Sequence, residues 1–254
     1  MEVEGQSRWE SFQRLWRAHS DEVNKALLSR WLPEKQLECT LKTDLFDEAV
    51  HDGLIPSLAH RTKQLFCIDV SFMVHQMAKR RYPDLQTVSA DVRRLPFKEA
   101  SFDGIVSNST LDHFESMDDL ASALKELRRV LQPGGQLILT LDNPTNPIVF
   151  LRNQLPSRLL GKIGAIPYYV GKTLGVRRLK HLLEELGFQL LETDAILHCP
   201  RILAVILAGW MERHASHETQ RKFLSFLMSF EKISKLPTRF LTGYFVAVRC
   251  GRQP

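Results

Sequence analysis

Apolar and polar positions change period along this chain. Residues 7–31 carry Trp9, Phe12, Trp16, Val23, Leu27 and Trp31, largely at the spacing of one helix face. They predict an amphipathic N-terminal helical region, closed by Pro33. From residue 38 short apolar runs of strand length take over, at 38–46, 64–69 (QLFCID), 87–91, 104–108 (GIVSN), 136–141, 188–197 and 244–250 (YFVAVRC). Helical patterns separate them. One begins after Asp47. Another covers 71–81 with Ser71 as its N-cap, a third covers 118–131 before Pro133-Gly134-Gly135, and a fourth covers 178–186 before Gly187. Apolar strands alternating with helices predict a parallel sheet covered on both faces. The last run lacks a comparable crossover helix and fits an antiparallel final strand.

Two segments break the alternation. Residues 143–173 are rich in Pro and Gly (NPTNP, IPYYVGKT), and residues 200–238 are helical in pattern, with Phe223, Leu227, Phe230 and Ile233 on one stripe. Both follow the carboxyl end of a strand, the edge where open α/β sheets bind ligands, so both are expected to overhang the site as caps. The stripe serves core packing first, and a substrate surface as an alternative. The expected organisation is an N-terminal helical region over 1–35 and one α/β domain over 36–254, with cap insertions at about 143–175 and 200–238.

Composition narrows the class only a little. The chain has 254 residues, a hydrophobic content of 44% and a net charge of +5. Its basic residues are dispersed over predicted helices, which reads as solvated helix faces; no nucleic-acid partner is expected. Four cysteines lie scattered without a CxxC pair, which points to a reduced, cytoplasmic chain with no metal site. The N-terminus lacks a signal-peptide pattern, and the longest apolar run, 202–211, is too short to span a bilayer.

Asp44, Asp69 and Asp91 end three successive strands. An acid after the second strand suits two ribose hydroxyls, and strand-ending Asp also serves as a helix N-cap. The surrounding wording carries more. CIDVSFMVHQMAKRR, SADVRRLPFKEASFDGIVSNSTLDHF and LKELRRVLQPGGQLILTLDNP closely resemble the class I S-adenosylmethionine-dependent methyltransferases, and within them the small-molecule "methyltransferase domain 11" group. The resemblance covers residues 36–142 well. It implies a Rossmann-like α/β fold with a seven-stranded sheet of order 3-2-1-4-5-7-6, strand 7 antiparallel, and S-adenosyl-L-methionine across the strand ends. It also implies that Asp69 holds the ribose, that Val70 and Met73 flank the adenosine, and that Asp91 meets the adenine amine with Val92 on the ring. Asn108 and Ser109 would line the gap between cofactor and a small-molecule substrate.

The sequence departs from that family in its first turn, where an acid followed by GxGxG is usual. Here Asp44 stands for the acid, and Leu45, Phe46, Asp47, Glu48 and Ala49 replace the glycines. One reading is a rebuilt cofactor loop, in which Asp44 with Asp47 or Glu48 offsets a cationic sulfonium and ammonium. The other is a lost site, in which the acids merely cap the next helix.

Methyl transfer needs alignment and often a base. His113, with Asp112 beside it, is the candidate base; capping or packing is its alternative. Asp142 and Asn143 follow the fifth strand and are expected to face the site, with capping or holding a turn as the alternative for Asp142. Tyr168 and Tyr169 are placed to close over a substrate or to anchor their loop. His198 and Arg201 lie on the same rim; Arg201 is read first as a surface residue, and as a ligand for a substrate carboxylate or phosphate in the alternative. Three functions remain open: methyl transfer to a partly apolar small molecule, a different reaction on the cofactor's aminobutyrate chain such as cyclisation, and a non-catalytic binding module.

Overall fold

The computed structural model describes residues 14–154, 171 and 173–253. Trp9, Phe12, Tyr168, Tyr169 and most of the first predicted insertion lie outside the described residues. Helix α1 (Arg14–Trp31) precedes β1 (Leu37–Lys42), the short helices α2 (Phe46–Val50) and α3 (Ile55–Ala59), β2 (Thr62–Asp69), α4 (Phe72–Arg81), β3 (Gln86–Ser89) and β4 (Phe102–Asn108). A 3-10 turn (Leu111–His113) leads to α5 (Met117–Val130), β5 (Leu131–Asp142), α6 (Pro147–Gln154), α7 (Val176–Glu185) and β6 (Phe188–Ile196). Helices α8 (Arg201–His214) and α9 (His217–Ser229), a 3-10 stretch (Phe230–Lys235) and α10 (Arg239–Thr242) then lead to β7 (Phe245–Arg252).

The sheet has seven strands in the order β3-β2-β1-β4-β5-β7-β6. Strand β7 runs antiparallel to both β5 and β6, and the other neighbours pair in parallel. The order and the reversed last strand match the expectation from sequence.

Two-residue alternation sends side chains to two cores. Leu137, Leu139 and Leu141 of β5, with Val246 and Val248 of β7, join Leu120, Leu124 and Leu127 of α5 and Leu179 and Leu183 of α7 on one face. Ile138 and Ala247, the intervening residues, join α1, α3, α8 and α9 on the other. Each fully buried leucine contributes about 1.5–3 kcal/mol. Helix α5 forms because its apolar residues fall on one face and Ser116 caps it, accepting from the Asp119 N–H at 3.0 Å. Ser71 caps α4 in the same way, as expected.

The Pro133-Gly134-Gly135 signal acts differently from the expectation. Helix α5 already ends at Val130, and β5 starts at Leu131. The Pro-Gly-Gly segment forms an irregular arm of that strand, where the β4–β5 register shifts and Gly134 adopts φ of +78°. Helix α7 stops before Gly187, as expected, and Gly187 adopts a left-handed φ of +81°.

Residues 200–238 are helical, and their stripe packs inward. Phe223 and Leu227 are buried in the core that α1 shares, which favours the packing role. Among the described residues, no helix is long and apolar enough to cross a membrane.

Candidate functional site

A cavity of about 700 Å³ opens at the carboxyl ends of β1 to β4. Each of the four strands ends in residues that line it: Asp44 and Asp47 after β1, Asp69 and Val70 after β2, Asp91 and Val92 after β3, and Asn108 and Ser109 after β4. Helix α1 supplies Trp16, Arg17, Ser20 and Asn24 to another wall.

The glycine-free first turn is held by charge. Lys42, the last residue of β1, is fully buried. Its ammonium donates to Glu48 Oε2 at 2.8 Å and to the Asp44 carbonyl at 2.8 Å, and lies 3.2 Å from Asp44 Oδ2. The other Glu48 oxygen accepts the Leu54 N–H at 2.8 Å. Desolvation alone would lower the Lys42 pKa, but Asp44 and Glu48 outweigh it and hold the ammonium above the usual lysine range. Glu48 therefore faces away from the cavity, toward the lysine. Gly53, the first glycine after β1, adopts φ of +59°, and a Cβ there would collide with the Glu48 carboxylate. That glycine serves the ion pair.

Asp44 and Asp47 remain toward the cavity. Asp47 pairs with Arg17 of α1 at 3.2 Å. Its pKa is pushed up to about 7, first by desolvation and then by Asp44, Asp21 and Glu48. About a third of its side chain is open to the cavity, which moderates that effect. The crowding marks a region where added positive charge is favoured.

Asp69 ties the first two strand ends together. Its Oδ2 accepts the Leu45 N–H at 3.1 Å and its Oδ1 accepts the Ser71 N–H at 2.8 Å. Each oxygen keeps a lone pair for a ligand. Asp91 is gripped by its near neighbour. Arg93 donates from Nε to both carboxylate oxygens at 3.0 Å and from Nη2 to Oδ2 at 2.6 Å, while Nη1 reaches Asp119 at 2.7 Å. The Arg93 bonds hold the Asp91 pKa below the usual carboxylate value.

After β4 the backbone is strained. Ser109 has φ of +50°, a left-handed conformation unusual for a residue with a side chain. Its N–H donates to the Thr140 carbonyl and hydroxyl, and its hydroxyl donates to Asp112 Oδ2 at 2.8 Å. Asp112 is buried and also accepts the Asp142 N–H at 3.1 Å. Its second oxygen, Oδ1, has no hydrogen bond among the described residues and lies 3.8 Å from His113 Nε2. Desolvation first, and Asp142 second, push the Asp112 pKa up to about 6. His113 lines the cavity, with Asp112 behind it.

Other expected residues are placed elsewhere. Met73 does not line the cavity; Val74, one residue on, does. Asp142 forms a buried ion pair with Arg152 at 2.7 Å, and Arg152 also donates to the Tyr244 hydroxyl at 2.8 Å. Asn143 holds a turn, donating to the Phe240 and Gly243 carbonyls. His198 bonds Thr242 and the Ala195 carbonyl. Tyr169 lies outside the described residues. Arg201, expected at the surface, instead forms cavity wall, its guanidinium 4.3 Å from the Tyr244 ring centroid.

Residues 52–139 match a methyltransferase domain family (Methyltransf_11). The match starts after the rebuilt first turn and covers the second to fifth strands. That match, together with the strand order, supports a class I S-adenosylmethionine-dependent methyltransferase. The chain is 33% identical to the demethylmenaquinone methyltransferase of Mycobacterium sp. (strain KMS) over 82 residues, 32% of this chain and 34% of that protein. It is 30% identical to the mitochondrial arginine-hydroxylase NDUFAF5 of Danio rerio over 132 residues, 52% of this chain and 40% of that protein. The chain thus spans between a third and two fifths of these curated relatives. Its fold is similar to phosphoethanolamine N-methyltransferase 2 of Haemonchus contortus, solved with S-adenosyl-L-methionine, at a TM-score of 0.58 and 17% identity, over 91% of this chain and 52% of that one.

The methyltransferase family's cofactor, S-adenosylmethionine, carries a sulfonium and an ammonium. The residues present fit such a group. Four carboxylates line the cavity alongside Arg17, Arg93 and Arg201, and Asp47, raised first by desolvation and then by Asp44, Asp21 and Glu48, gains from a cation beside it. The Asp69 carboxylate retains acceptor capacity, and Val70 and Val92 supply apolar walls.

Proposed function

We propose that the protein methylates a small, partly apolar molecule with S-adenosylmethionine. The observation that carries this reading is the cavity at the ends of four parallel strands, lined by Asp44, Asp47, Asp69 and Asp91. When bound, the cofactor supplies an electrophilic methyl group. Asp69 accepts from the ribose hydroxyls, and Val70 and Val92 pack on the adenine. Asp91, steadied by Arg93, has lone pairs left for the adenine amine. Asp44 and Asp47 offset the cofactor's positive charge. Asn108 and Ser109 border the acceptor space.

His113 accepts the acceptor's proton, and Asp112 Oδ1 stabilises the imidazolium that forms. Helix α1 belongs with the site, because Trp16, Arg17, Ser20 and Asn24 close its wall. The apolar share of the cavity, with Trp16, Phe46, Phe114 and Phe245, suits a ring-bearing acceptor. A quinol-like molecule fits this description, and one relative is named for a demethylmenaquinone. A reducing, cytoplasmic compartment is part of this reading.

A second reading changes the reaction and keeps the fold. It has one specific support: a matching relative is named a hydroxylase. Incubation with S-adenosylmethionine and a panel of hydroquinones, phenols and amines separates the two. Formation of S-adenosylhomocysteine with a methylated acceptor supports methyl transfer. Formation of methylthioadenosine, or turnover of neither compound, opposes it.

A further inference from the structure

Helix α8 is inside out. It packs on α1 through its small residues, Ala204 and Ala208, which are buried. Its large apolar residues face the other way: Ile202, Leu203, Ile206 and Trp210 are each more than half exposed, and Leu207 is also exposed. These five fall within one outward stripe at the i, i+3, i+4 spacing of a helix. Within the same insertion, Phe226 and Leu236 are also half exposed or more, as is Leu241 just beyond it. A chain seeking only stability would bury such residues.

The stripe starts at the cavity. Arg201, the first residue of α8, lines the cavity wall, and Ile202 begins the exposed face. Charge completes the pattern. Residues 200–238 hold six arginines and lysines against three glutamates, a net of +3 within a chain whose net charge is +5. Arg213 and His214 end α8 exposed, and Arg221 and Lys222 follow on α9. An apolar helix face with a tryptophan, bordered by basic residues, suits the interfacial zone of an anionic bilayer.

We propose that the α8 face docks the protein reversibly on an anionic lipid surface. The helix lies in the plane of the headgroups with Ile202, Ile206 and Trp210 directed into the acyl boundary, and the basic residues of α8 and α9 meet lipid phosphate. The cavity mouth then sits beside the membrane, within reach of an acceptor dissolved in it. Docking itself does not depend on the methyl-transfer reading.

The test is co-sedimentation of the full chain with vesicles of phosphatidylcholine alone and of phosphatidylcholine with phosphatidylglycerol. Binding is expected to the mixed vesicles, at least about tenfold stronger than to phosphatidylcholine alone. The Ile202→Ser/Ile206→Ser/Trp210→Ser variant is expected to lose at least about tenfold in affinity for the mixed vesicles. These three side chains are exposed, so the variant should keep its melting temperature and circular dichroism spectrum. The Arg213→Glu/Arg221→Glu variant, made separately, is expected to lose the preference for anionic lipid. No sedimentation with either vesicle type overturns the proposal. So does a concentration-dependent dimer, seen by sedimentation velocity and abolished by the triple substitution, since the face would then bind a second copy.

Discussion

Glu48 and Lys42 meet at 2.8 Å with neither side chain exposed, and this pair shapes the turn that follows β1. A glycine-rich turn lets backbone approach a ligand closely. Here the chain turns around an internal ion pair, and Asp44 and Asp47 are left facing the cavity.

Lys42→Met would strip Glu48 of its partner in a buried place. Breaking such a pair costs about 3–5 kcal/mol. Chemical denaturation at neutral pH should show that loss. It should shrink as the pH falls, because a protonated Glu48 no longer needs the ammonium. Adding Glu48→Gln, which still accepts from Leu54, should recover most of the stability.

Gly53 tests the same lock from the outside. Gly53→Ala combines a left-handed φ with a Cβ directed at Glu48. A loss of at least about 1–3 kcal/mol is expected, read by the same denaturation experiment. A neutral effect would mean that Glu48 is free to move.

The alternation of strands and helices was legible because two-residue alternation and helix stops are local signals, whereas the order of the strands in the sheet came from the family resemblance. The helical nature of 200–238 was legible for the same reason. The partners of the acids were not. Lys42 reads as the polar end of an apolar run, and nothing periodic links it to Glu48 across a turn. Arg93 lies two residues from Asp91, yet its grip depends on Asp119, which comes from α5. Arg201 reaches the cavity only because α8 packs on α1, a contact between segments nearly two hundred residues apart. The spacing that revealed the buried Phe223 and Leu227 stripe on α9 gives no sign of which face of α8 turns outward.

His113 and Asp112 make separate predictions. His113→Gln should lower kcat by about 10²–10⁴-fold and leave cofactor affinity nearly unchanged, as measured by steady-state kinetics and titration.

Asp112 has a folded-state pKa of about 6, above its ordinary value of 3.8. The folded state therefore holds the proton more tightly, and this group makes stability fall as pH rises from about 4 to about 6. Asp112→Asn cannot ionise. Its melting temperature should vary less with pH across that window than the parent's.

The central claim is that the carboxylate-rich turn serves a cationic cofactor. Calorimetric titration with S-adenosylmethionine and S-adenosylhomocysteine, on the parent and on Asp44→Asn, tests it most directly. The two ligands share the ammonium and differ in the sulfonium charge. Both should bind the parent, and Asp44→Asn should weaken S-adenosylmethionine more than S-adenosylhomocysteine. Failure of either ligand to bind the parent, or equal affinities for both ligands before and after the substitution, would contradict the account.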